Sequence, residues 1–348
     1  MPDRPRPGYH HRMARRFLPL IFAVGAAMAL ALALTALAGI GGLFATGHSG
    51  WAGAPTTDLS QLWSVPPVEV AVFVILGLAY LAWARNPETG VTARHRAFFL
   101  SGIALLLLAV VTPIGGMSQQ GVLAAHMIQH TVIGGFAPLL LLLGIPPGTA
   151  GRMLSPATIH RIQRVQHPAV AFSVWTLSTL IWLIPEVHHQ VLATPSLWVV
   201  QQISFLVIGT LMWMPVVERV PAPDWFGTGW KGTYMTGVWT VGLVIANIYW
   251  FSGTAFYGSH AAAAEAWGFS ALEDQANAGT VMMLSHCLLA FGAITLLFFR
   301  QAQEGELRQK LVEAGLDRDR VNEAIRHGTA RSLATAHGIS AKTRAGID

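Results

Sequence analysis

The stretch GVLAAHMIQHTVIGGFAPLLLLLG, residues 121–144, runs for 24 positions without one Asp, Glu, Lys or Arg. As a helix it spans about 36 Å, enough to cross a hydrocarbon core of about 30 Å. Comparable apolar runs cover Leu18–Phe44, Pro67–Ala84, Ala97–Thr112, Pro168–Ile184, Leu197–Val217, Tyr234–Phe251 and Ala276–Phe299. The run at 97–112 is short for a span, and the uncharged flank Pro113–Ser118 is expected to extend it. Charged residues make up 11% of the 348-residue chain, against roughly a quarter in soluble domains, so water is a poor candidate for its main solvent. Lipid offers no partner to an unpaired backbone group, which makes the runs helical. The alternating pattern of a membrane barrel is absent. The expected fold class is therefore all-α, a polytopic membrane helix bundle of about eight transmembrane helices.

Basic residues orient the bundle. Residues 1–17, 85–96, 145–167, 218–233 and 300–348 hold five, three, three, two and nine Lys or Arg, all 22 in the chain. The segments 45–66, 113–120, 185–196 and 252–275 hold none. Basic segments are retained on the cytoplasmic side during insertion, so both termini are expected there. The formal charge of +5 follows from that partition and carries no nucleic-acid signal. Three parts are expected: residues 1–56 with a basic start, an extra helix and an outer linker; a seven-helix core at 57–300; and a cytoplasmic helical tail at 301–348. Arg12, Arg15 and Arg16 before Leu18–Phe44 resemble a secretory signal, but the apolar run exceeds the usual 7–15 residues and reads as a retained anchor. The tail places Leu307, Leu311, Leu316, Val321 and Ile325 among charges, as short helices with an apolar side do. Cys287 is the only cysteine and can form no intrachain disulfide.

Ionisable side chains at membrane depth are costly and face protein or water. His126 and His130 stand four residues apart, on one helical face. By rise per residue they lie about 8 and 14 Å below Gly121, and His286 lies about 15 Å below Ala276, at a depth similar to His130. Neutral imidazoles suit copper or zinc, so His126, His130 and His286 are the candidate metal ligands. A polar network that fixes helix packing is the alternative reading of these histidines, and proton handling a third. Met127 and Met282 are optional soft donors, although packing is the ordinary role of a buried Met. Asp274 is a candidate helix cap or an acceptor behind a metal-bound imidazole. His188 and His189 read as ordinary interfacial residues, with His188 a candidate accessory ligand that meets a metal on its way in. Pro138, Pro146, Pro147 and Pro215 read as shapers of the bundle. Phosphate-binding loops, Cys-x-x-Cys, His-Glu-x-x-His and a serine-triad framework are all missing, so no enzyme is expected.

Residues His126-Met127-Ile128-Gln129-His130, followed by Ala137-Pro138-Leu139-Leu140 and Gly144-Ile145-Pro146, resemble a characteristic stretch of the CtaG family of cytochrome c oxidase assembly proteins. Trp213-Met214-Pro215-Val216 is similar to that family's Trp-x-Pro stretch. Asp274-Gln275 with Ala278-Gly279 and Met282 resembles the start of its last helix. The resemblance covers about residues 60–300. One departure stands out: the family often has Trp-His-x-Pro where this chain reads Trp182-Leu183-Ile184-Pro185. The resemblance implies a factor that assists maturation of a haem-copper oxidase, by copper delivery or by stabilising a subunit at the outer face. Its implied partners are oxidase subunits, periplasmic copper carriers and the lipid bilayer, with copper as the candidate cargo. Two other classes compete with this reading. A haem-binding electron carrier would use facing histidines such as His130 and His286 as axial ligands. A solute or metal transporter would need a polar path through both leaflets.

Overall fold

A computed structural model describes residues 55–340, except 221, 224 and 327–329. The expected helix at 18–44 lies outside the described residues. The principal helices are α1 (Pro67–Ala84), α2 (Ala93–Val111), α3 (Pro113–Gln120), α4 (Leu123–Leu143), α5 (Pro168–Trp182), α6 (Pro185–Ala193), α7 (Pro195–Val217), α8 (Thr228–Phe251) and α9 (Ala271–Glu313). Among the described residues six helices are long and apolar enough to span a membrane, and seven if α5 and α6, bent by 71°, form one span. The chain is thus an all-α, multi-pass membrane bundle. Its lipid-facing shell is read from exposed Ile75, Leu78, Leu177, Ile181, Leu284, Leu288 and Phe298, which water would not favour.

One boundary differs from expectation. The run at 97–112 gains its length at its start, through Ala93–Arg96, and Pro113 opens a separate helix. Thr92 caps the earlier start with a hydrogen bond from His95 N–H, while Pro113 has no N–H with which to continue α2.

The alternating helices define a basic end and an acidic end free of Lys and Arg. At the basic end, cations satisfy the carbonyls with which helices terminate. Arg219 Nε donates to Leu142 O at 2.9 Å, closing α4. Arg96 donates to Ala84 O at 3.0 Å, closing α1, and Tyr80 Oη donates to Gly144 O at 2.8 Å. Lys231, 2% exposed, pairs with Glu218 at 2.5 Å. Removing one partner of a buried pair costs roughly 3–5 kcal/mol, and less where the survivor keeps access to water, as Glu218 does at 27% exposure. Lys231→Met is therefore expected to destabilise the bundle by about 2 kcal/mol. Melting of detergent-purified protein checks this, and Glu218→Gln, which strands the buried Lys231 ammonium, should cost more.

α4 occupies the middle, packed on α2, α7 and α9. Its helix opens at Val132–Phe136 into a π turn, with Ala137 N–H reaching back to Val132 O. Pro138, just beyond, withholds the N–H that a regular turn would need. The opened turn lets Trp213 Nε1 donate to Gly135 O at 2.9 Å. This bond accounts for the Trp213 of the Trp-x-Pro stretch, whose ring is 1% exposed. α9 continues without a break through residue 300, and beyond it Leu307 and Leu311 pack with Val321, Ala324, Ala330 and Ala334 of two short helices. The expected apolar faces of the tail are thus packed on each other.

Candidate functional site

The acidic half of the bundle carries five buried or half-buried histidines in two tiers, separated by about one helical turn of α4. The deeper tier holds His130 and His286. Both line one internal cavity with Thr131, Trp175, Phe205 and Met212, and the volume open to water-molecule centres is about 40 Å³. That is room for an ion or a few waters. His286 Nδ1 lies 2.8 Å from Met282 O, so it carries the proton and leaves Nε2 with a free lone pair. Gly242 admits this ring, because a Cβ there would collide with it. His130 rests edge-on against Phe205, centroids 4.1 Å apart, and its buried Nδ1 has no hydrogen-bond partner.

The second tier is nearer the acidic end. His126, His188 and His260 pack together, with ring centroids 4.7 Å apart for the first two and 4.9 Å for the last two. Trp198 and Tyr257 flank them. Each ring is oriented through one nitrogen. Ser118 Oγ donates to Gln129 Oε1 at 2.9 Å, so at 3.1 Å from His126 it accepts from Nδ1–H. Gln129 in turn donates to Ala109 O and accepts from Gln202, fixing its amide orientation. His260 Nδ1 bonds Gly121 O, at the left-handed glycine that separates α3 from α4. His188 bonds the Trp182 backbone, and its Nε2 has no partner. Burial holds the His260 imidazole down to about 4, with the Gly121 bond opposing the shift, so the ring is neutral near pH 7.

The bend between α5 and α6 carries His188 inward. Pro185 opens α6 after Leu183, and Tyr257 Oη donates to the carbonyl of Leu183 at 2.7 Å. Asp274 holds the start of α4. Its carboxylate accepts from Leu123 N–H at 2.7 Å and Ala124 N–H at 3.1 Å, capping a helix other than its own. Gln275 accepts from Phe256 N–H at 2.8 Å and so fastens the loop that bears Tyr257 and His260. The Asp-Gln pair at the start of α9 thereby sets the geometry of both neighbours. Met127 and Met282 lie in an apolar cluster with Leu123, Ile245 and Tyr249.

The three histidines chosen from the sequence are therefore divided, His130 with His286 and His126 one turn away. Among the described residues no three His, Cys, Asp or Glu side chains are already gathered so as to hold a metal ion. His188, interfacial by its place in the sequence, is 1% exposed, and His260, 2% exposed, joins it without any sequence motif to mark it. Neither has a periodic signal, since one follows a helix bend and the other sits on a short turn after a loop. The isolated His at 260 in a segment without Lys or Arg was the available hint.

No curated protein and no solved structure matches the chain. The family model described as cytochrome c oxidase caa3 assembly factor matches residues 74–304, about two thirds of the chain, including both histidine tiers and the helices that position them. The chain belongs to that family, the caa3-type CtaG assembly factors.

Proposed function

We propose that this protein delivers copper to a haem-copper oxidase during its assembly, acting as a non-catalytic factor within the membrane. The observation that carries the reading is the deeper tier, where two imidazoles from different helices line one small cavity and at least one presents a free lone pair. Nitrogen donors of this kind suit copper, and a cargo site with few ligands can release as well as capture. His130 and His286 are its ligands, His126 the next donor toward the acidic end, and Met127 or Met282 optional soft donors after a rotamer change. Asp274 supports them indirectly by fixing the start of α4. The partners are the oxidase subunits and a periplasmic copper carrier.

The haem alternative fits the cavity poorly. Ligand pockets occupy roughly 300–1,000 Å³ and a porphyrin needs space of that order, against about 40 Å³ here. Cells lacking the chain are expected to lose oxidase activity and recover it on complementation. Unchanged oxidase would refute the assembly role. A Soret band in the purified protein would favour the haem reading.

Copper must arrive from the acidic end, which the positive-inside rule places outside, with both termini cytoplasmic in a bacterial inner membrane. After Cys287→Ser, a cysteine at position 265 is expected to react with an impermeant reagent in intact cells, and one at 161 is not. The opposite pattern would invert the orientation and place the copper path on the wrong side.

A further inference from the structure

We infer that the short helix Pro156–Val165 is a docking surface for anionic phospholipid, lying along the leaflet at the basic end with Arg161 and Arg164 on the headgroup phosphates. This surface needs neither copper nor the function proposed above.

The helix holds ten residues, about 15 Å, and is too short to cross a bilayer. Ser155 caps its start by accepting from Thr158 N–H at 3.2 Å. Around its axis Ile159, Ile162 and Val165 fall on one side, and His160, Arg161 and Arg164 on the other. None of its residues is buried; Val165 is 55% exposed, and Ile159 and Ile162 are half-buried. The protein thus leaves the apolar side incompletely covered. Continuity with the bilayer identifies the cover. Just beyond Val165 the chain enters α5, whose exposed Val170, Val174, Leu177 and Ile181 carry the apolar surface into the lipid-facing shell. Trp225 and Trp230, both more than half exposed, pack on each other, and Trp225 meets His167 with 5.7 Å between centroids. Exposed Trp side chains on a membrane bundle gather at headgroup level, so the end of the helix stands at that level.

Charge selects the lipid. Residues 145–167 include Arg152, Arg161 and Arg164 and no Asp or Glu. Arg161 and Arg164 are exposed, and among the described residues neither pairs with a carboxylate. A guanidinium matches a phosphate with paired N–H donors. Each basic side chain near an anionic membrane surface gains about fivefold in affinity, an attraction that zwitterionic lipid does not offer. The far end of the helix is fastened to the bundle. Gln166, 1% exposed, donates from Nε2 to Val220 O at 3.2 Å, and the adjacent Arg219 closes α4 through Leu142 O. Lipid held by this helix therefore steadies the basic ends of α4 and α7 through one loop.

The test uses full-length protein carrying Cys287→Ser and Val165→Cys, with a polarity-sensitive fluorophore on the new thiol. It is placed in nanodiscs of phosphatidylcholine with a rising share of phosphatidylglycerol. Emission is expected to shift to the blue as phosphatidylglycerol rises. Arg161→Gln or Arg164→Gln should raise the half-saturating share about fivefold, and the two together should abolish the shift. Arg161→Lys with Arg164→Lys keeps the charge and should keep most of the shift. A label that stays in water at every composition overturns the proposal and leaves the helix to a protein partner. A full shift already in pure phosphatidylcholine, an equal shift in the double Gln variant, or an equal shift from inorganic phosphate in detergent overturns the assignment to anionic lipid. Where the labelled variant fails to fold, hydrogen exchange of unlabelled protein in the same discs decides. Amides of residues 159–165 should slow with phosphatidylglycerol in wild type and not in the double Gln variant, and equal exchange in the two contradicts the site.

Discussion

Gly209→Ala is expected to remove most of the folded protein from the membrane. α7 crosses α4 at this residue, and an added Cβ would land on the carbonyl of Gly134. The obstacle is backbone, so no side chain can rotate aside. Overpacking a core costs typically 1–3 kcal/mol and occasionally more. Here the helices must separate, which also strains the Trp213 bond to Gly135 O and the packing of Phe205 on His130. An effect of at least about 3 kcal/mol is expected, enough to empty the folded peak in size-exclusion chromatography. Gly232→Ala on α8 serves as control, because an added Cβ there meets open space and Ala is the better helix former. Equal folded yields for the two variants would show that the α4–α7 crossing is looser than described.

His130→Ala is expected to abolish active oxidase while leaving the protein at near-normal abundance. The His130 Nδ1 has no hydrogen bond to lose, so truncation removes an unpaired buried atom together with packing on Phe205. His286→Ala should behave alike, since its bond to Met282 O lies within its own helix. Oxidase activity is expected to fall at least about tenfold in either variant, the lower bound for disturbing a metal donor set. Protein that disappears in step with activity would instead assign these histidines to packing.

Much of the architecture was legible because lipid imposes it. Apolar runs of membrane length have few alternatives to helices, and the partition of Lys and Arg separates the two ends. The matched depth of His130 and His286 followed from helical rise alone, and the structure places both on one cavity. The place of His126 was not legible, because a shared helical face does not specify which neighbour each turn meets. Its neighbours come from residues with no periodic signature: His188 after the bend at Pro185, and His260 on a turn beyond a loop. Asp274 illustrates the same limit. Its capping role was foreseeable from its position, but the helix it caps lies about 150 residues away in sequence and was visible only once α9 packed on α4.

Copper delivery is read out by the copper-to-haem ratio of oxidase isolated from cells that make wild-type protein or the His130→Ala variant at equal abundance. Wild type is expected to yield oxidase with a full complement of copper, and the variant haem-loaded but copper-poor oxidase. Oxidase of equal amount and equal copper content from both would contradict copper delivery through His130.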